Sequence, residues 1–166
     1  MGCLGVHFSL SEDEVLELHR RPECERPDHV HEVLEEEYFA EHPERIAESD
    51  KAWDAMHRVL ADGRLSWDGG EYPLNHVVLG GELLYTDSNF IMVVKTPQQV
   101  QDVAAALRSI TAPDFRRRYF AIDAKSYGMQ LTEEDLGYTW QWFKTVRDFW
   151  LRAAEEGRYV LFTADQ

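Results

Sequence analysis

Three groups of residues in this chain are of types, and at spacings, that could do chemistry. Trp53 and His57 stand four residues apart, which on a helix puts them on one face. An imidazole can serve as acid, base or ligand near neutral pH. Gly80-Gly81 would let backbone approach a ligand closely and present amides to an anion. A pocket lined by Trp53, His57, Gly80 and Gly81 is the sharpest small-ligand reading; the plainer one has Trp53 and His57 in the core and the glycines turning the chain. Cys24, His29 and His31, with Glu32, Glu35 and Glu36 just beyond, offer zinc-type donors. Their C-x4-H-x-H spacing is not that of a structural zinc site, and none of the glutamates stands out as a fourth ligand, so no metal is expected. Arg116-Arg117-Arg118, with Arg108 nearby, could grip a phosphate or carboxylate. Successive helical side chains splay about 100° apart, however, and cannot all face one ligand. The plainer reading pairs them with acidic residues 22–48 or leaves them in solvent.

Covalent catalysis finds little support. Cys3 could form a dyad with His7 or His57, but a thiol in an apolar strand is usually inert. The chain has no G-x-S-x-G, Walker loop, G-x-G-x-x-G or H-E-x-x-H. Paired carboxylates are too plentiful to single out any two. No cofactor is expected.

Charge is more telling. The 166 residues hold 31 acids and 17 bases, a formal net charge of −14. Residues 11–50 alone carry 15 acids and 4 bases. A field of that sign repels nucleic-acid phosphate and anionic membranes and favours a basic protein or a cation. Glu32, Glu35, Glu36 and Glu37 are the densest run and the candidate partner-binding residues. The resulting expectation is a non-catalytic binding domain, of inhibitor or immunity type, acting on a basic protein partner. The plainer alternative is a solvated face that confers solubility. The oligomeric state stays open.

Length and an apolar share of 44% suit one domain with a substantial core. Two cysteines, Cys3 and Cys24, do not make a disulfide framework. The start lacks a basic n-region, and no apolar run approaches the roughly 20 residues of a membrane span. A cytoplasmic, non-membrane protein is expected.

The elements that must position these residues follow from periodicity and punctuation. Residues 3–8 read as a short strand. Ser11 and Glu14 form a capping box that opens a helix, which ends near Arg21-Pro22. Residues 22–48, with three prolines and many glutamates, read as an acidic loop-rich segment with a possible short helix at 30–39. Ser49-Asp50 cap a helix from Lys51 to about Ala61, with Trp53, Met56, His57 and Leu60 as its buried stripe. Phe90–Lys95 is the clearest strand. Thr96 and Gln99 cap the next helix with Pro97 at its first position. Thr111 and Pro113 start another. Thr132 with Asp135 opens the longest, running to about Glu156, and residues 159–163 form a last strand. The expected fold is α+β, one compact domain over 1–166, with a small mixed sheet of about three short strands packed by several helices.

Four stretches together resemble the YfbM-like domain family. They are Met1–Leu18, Asp50-Lys51-Ala52-Trp53 with the helix it opens, Pro73-Leu74 followed by Val78-Leu79-Gly80-Gly81, and Arg152–Gly157 before an apolar strand. The resemblance implies a compact α+β fold and brings no reaction, cofactor or catalytic residue. The chain departs from the family's Tyr-Gly-Pro after the Gly-Gly turn, having Glu82-Leu83-Leu84-Tyr85 there.

Overall fold

The structure, a computed structural model, describes residues 4–165. Cys3, and with it any Cys3 dyad, lies outside them. The fold is α+β, as the pattern of elements implies, but its sheet is larger and more uniform than expected. Among the described residues, five strands run in the order β2-β1-β5-β4-β3, and every neighbouring pair is antiparallel. They are β1 Gly5–Leu10, β2 Ile46–Asp50, β3 Glu82–Leu83, β4 Phe90–Lys95 and β5 Tyr159–Asp165. The two strands missing from the sequence reading, β2 and β3, are the sheet's edges. β2 reads Ile-Ala-Glu-Ser-Asp, with too few apolar or β-branched residues to announce a strand. Its Ser49, expected to cap a helix, instead donates its hydroxyl to the Gly5 carbonyl at 3.1 Å across the β1–β2 pair.

Helices cover both faces of the sheet, and this is why β1 and β4 are buried along their whole length. On one face lie α4 (Ala52–Leu60), α5 (Pro97–Leu107), α6 (Ala112–Tyr119) and α7 (Glu133–Glu155), packed over Ile91 and Val93 of β4 and Val160 and Phe162 of β5. The opposite face carries Val6, Phe8, Leu10, Met92 and Val94. It is covered by α1 (Glu12–Arg20) and by residues 22–45.

The second cover corrects the reading of 22–48 as loop-rich. A 3-10 turn at Glu23–Glu25 leads into α2 (Arg26–His29), a π-helical stretch Val30–Glu35 and α3 (Glu36–Glu41). Val30, Leu34 and Tyr38, four residues apart, bury themselves against the sheet. The prolines that suggested a loop sit where helices accept them: Pro27 and Pro43 occupy first-turn positions, where the missing N–H costs nothing. Tyr38 anchors the run further, donating its hydroxyl to Ser9 O at 3.1 Å and to Glu14 at 2.8 Å. Burial and the Glu14 hydrogen bond hold that phenol in the protonated form. The capping boxes at Ser11 and Thr96 both form. A long excursion, residues 61–89, joins α4 to β4 and holds β3 and a 3-10 turn at Leu74–His76.

Candidate functional site

The helical run 26–41 has two sides. Its inner side is apolar; its outer side exposes Glu32, Glu36 and Glu37, while Glu35 is half-buried. Glu35 accepts from His31 Nδ1 at 3.2 Å, and Glu37 lies 3.9 Å from His42 Nε2. Glu32, Glu36 and Glu41 have no cationic partner among the described residues. Two large apolar side chains stand among these acids, Val33 at 43% and Phe39 at 45% exposure. The result is a carboxylate surface with apolar anchor points. The π-helical stretch within it is an irregularity that recurs at functional sites. Cys24 and His29 lie at the start of the same segment. No group of three His, Cys, Asp or Glu side chains among the described residues is arranged to hold a metal ion.

The pocket expected at Trp53, His57, Gly80 and Gly81 has a different character. The structure brings these residues to one locus, but mostly inside the core. Trp53 is 3% exposed and His57 1%. The locus is organised by two residues that the sequence reading did not single out, Lys95 and Phe162. Lys95 is fully buried and donates to the Val78 carbonyl at 2.5 Å, with its ammonium nitrogen 5.7 Å from the Phe162 ring centroid. Trp53 and His7 lie against that same ring, at centroid distances of 5.8 and 4.8 Å. Gly81 abuts Lys95: its backbone has φ +109, and a Cβ there would meet the Val94 carbonyl at 2.4 Å. Only glycine fits that approach.

Three buried bases therefore hold the excursion 61–89 down by its carbonyls. His7 Nε2 donates to Val77 at 3.1 Å, Lys95 to Val78, and His57 Nε2 to Ser66 at 3.0 Å. Burial disfavours their charged forms. It pushes His7 down to about 3, with Lys95 adding to the effect, and His57 down to about 4 against the pull of its Ser66 bond. Burial alone drives the Lys95 amine well below the usual lysine range. Strand alternation could have revealed the cluster. Lys95 follows Ile91 and Val93 at two-residue steps on the core face, and His7 alternates with Val6 and Phe8.

The Asp50-Lys51-x-Trp53 motif divides between core and surface. Trp53 points inward, while Lys51 and Asp54 line a cleft of about 480 Å³ with Tyr127, Asp135 and Tyr138. Asp50 takes a left-handed backbone, φ 46, and accepts from the Tyr138 hydroxyl at 2.7 Å. Asp54 holds the buried Arg58 at 2.5 Å, and Arg58 reaches Ser126 at 2.7 Å. The Arg116–Arg118 run does not meet the acidic segment. Arg116 pairs with Glu133 and Arg117 with Asp114 at 3.1 Å; Arg118 has no anionic partner among the described residues.

Residues 1–163 match the model of a family described as a domain of unknown function, DUF1877. The chain belongs to this family. Among solved structures, the chain is similar to the crystal structure of YfbM from Escherichia coli, a protein of unknown function. The TM-score is 0.69 at 18% identity, covering 97% of this chain and 99% of that one. The likeness shows the fold of the DUF1877 domain and no more. No curated protein matches. No helix among the described residues is long and apolar enough to cross a membrane.

Proposed function

We propose that this DUF1877 domain is a non-catalytic binding protein that holds a basic protein partner on the outer side of its helical run 26–41. One observation carries the reading. Glu32, Glu36 and Glu37 stand exposed around Val33 and Phe39, with Glu32 and Glu36 left unneutralised. Such a surface gives a partner long-range attraction and a short-range apolar hold. Fast, charge-steered capture suits an inhibitor or immunity-type protein.

The test is a paired capture from native lysate with the wild-type chain and the Glu32→Gln/Glu36→Gln/Glu37→Gln variant. A basic protein retained by the wild type at low salt, released at high salt and lost by the variant supports the proposal. Equal capture by both chains with the same salt response overturns it.

A second reading, a small-ligand or enzyme site at Trp53, His57 and Gly80-Gly81, draws on one feature. The Nδ1 of His57 is buried with no hydrogen-bond partner. A ligand there would have to open the excursion 61–89. His57→Ala would then abolish ligand-induced stabilisation in a folded protein, whereas loss of the fold marks a core role.

A further inference from the structure

Most of the carboxylates and phenols that line the cleft of about 480 Å³ are already engaged. Asp135 accepts from the hydroxyls of Tyr119 at 2.6 Å and Tyr127 at 2.9 Å, Asp54 holds Arg58, and Asp50 holds Tyr138. A ligand entering it would have to break good hydrogen bonds. A smaller hollow of about 240 Å³, between the end of α4, the Gly70–Leu74 stretch and α6, is in the opposite condition. Arg118 lines it, and Arg118 is the arginine of its run without an anion; its Nε is buried and makes no hydrogen bond. Among the described residues, the backbone amides of Gly70 and Glu71 have no acceptor, and the exposed Glu71 carboxylate has no donor. Asp62 takes only the Arg64 amide, at 3.2 Å. Gly70 has φ +77, and a Cβ there would stand 2.6 Å from the Cα of Ala61, so the close approach of backbone to this wall requires glycine.

We infer that this hollow binds a small zwitterion, a free amino acid with an apolar side chain. The guanidinium of Arg118 is a fork suited to a carboxylate. Asp62 and Glu71 supply acceptors for an ammonium group. Leu60 and Leu74 give an apolar wall for the side chain. One cation against two anions disfavours a plain anion such as phosphate, while a ligand carrying both signs meets each group. The volume is below the roughly 300–1,000 Å³ of drug-sized sites, which matches a ligand of amino-acid size. The site shares no residue with the acidic face, so it stands or falls separately from the binding proposal.

The experiment is calorimetric titration of the full chain with leucine, N-acetyl-leucine, leucinamide and inorganic phosphate. Leucine should bind, and each blocked derivative should bind at least tenfold more weakly. Arg118→Gln should weaken leucine at least tenfold; Arg117→Gln, one residue along the same helix, should leave it unchanged. Glu71→Gln, at an exposed position, should weaken leucine while leaving N-acetyl-leucine as it was, which keeps the test decisive should Arg118→Gln unfold. The inference is overturned if no apolar amino acid gives heat, if phosphate or N-acetyl-leucine binds as tightly as leucine, or if neither Arg118→Gln nor Glu71→Gln changes leucine binding.

Discussion

Glu32, Glu36 and Glu37 stand in water on one face of the sheet, while Lys95, His7 and His57 lie buried against the other. On the outer side of 26–41 the charges touch almost nothing and can act at a distance. Around Lys95 each base makes one hydrogen bond to a carbonyl of the 61–89 excursion, and burial disfavours its charged form. Ionisable residues therefore have two separate uses in this fold. In solvent they project a field that a partner can feel. Inside, they serve as donors that fasten an irregular segment whose carbonyls would otherwise be unsatisfied.

The sharpest way to break this contrast is to force a charge into the interior. Lys95→Glu puts an acceptor where the Val78 carbonyl needs a donor. Leaving an uncompensated group there should cost about 3–5 kcal/mol, which urea unfolding would read. Lys95→Met keeps the apolar stem and loses one hydrogen bond, at about 1 kcal/mol. Equal tolerance of both would mean that the cluster is wet and the contrast is false.

Next in size is the pH response. The folded values of His7 and His57 lie below the unfolded ones, so the unfolded chain binds more protons and stability falls as pH falls. The loss begins as pH drops below about 6.5, the ordinary imidazole value. It runs on until about 4 for His57 and about 3 for His7. Near pH 5 two buried imidazoles give a slope of about 2.5 kcal/mol per pH unit. His29 and His76, shifted down by partial burial, add with the same sign. His57→Gln, which keeps a donor for Ser66, should remove about half of the two-imidazole slope. Denaturation midpoints that stay flat between pH 6.5 and 5 would show that these imidazoles are not held neutral.

The sequence makes the helices of the first cover legible because their signals are local. Capping boxes at Ser11 and Thr96, and the stripe through Trp53 and Leu60, need only near neighbours to be read. Edge strands such as β2 carry no such signal, since pairing with β1 rather than composition makes Ile46–Asp50 a strand. The acidic run misleads for a related reason: prolines at first-turn positions look like breakers until the burial of Val30, Leu34 and Tyr38 is seen. Of the site residues, the gathering of His57 with Gly80-Gly81 is half legible. The pieces are visible, but Lys95, which draws them together, lies at the end of an apolar strand and reads as its solvent-facing terminus.

The smallest expected effect is on the stability of the acidic face itself. Glu32→Gln/Glu36→Gln/Glu37→Gln removes three charges from exposed positions that bear on no buried contact. Such changes fall within about 0.5 kcal/mol each. Their combined sign should be stabilising, because like charges along one helical surface repel. The gain should shrink as salt rises, since exposed charges are screened beyond about 8–10 Å at physiological strength. Thermal unfolding of the variant and wild type at low and high salt reads both sign and screening. A clear loss of stability would mean that these glutamates hold the helix in place, and the contrast between an outer field and an inner fastening would fail on its outer side. A small, salt-sensitive gain would mean that the chain keeps a mildly destabilising charge cluster where neutral residues would fold better, which is the pattern expected of a surface retained for binding.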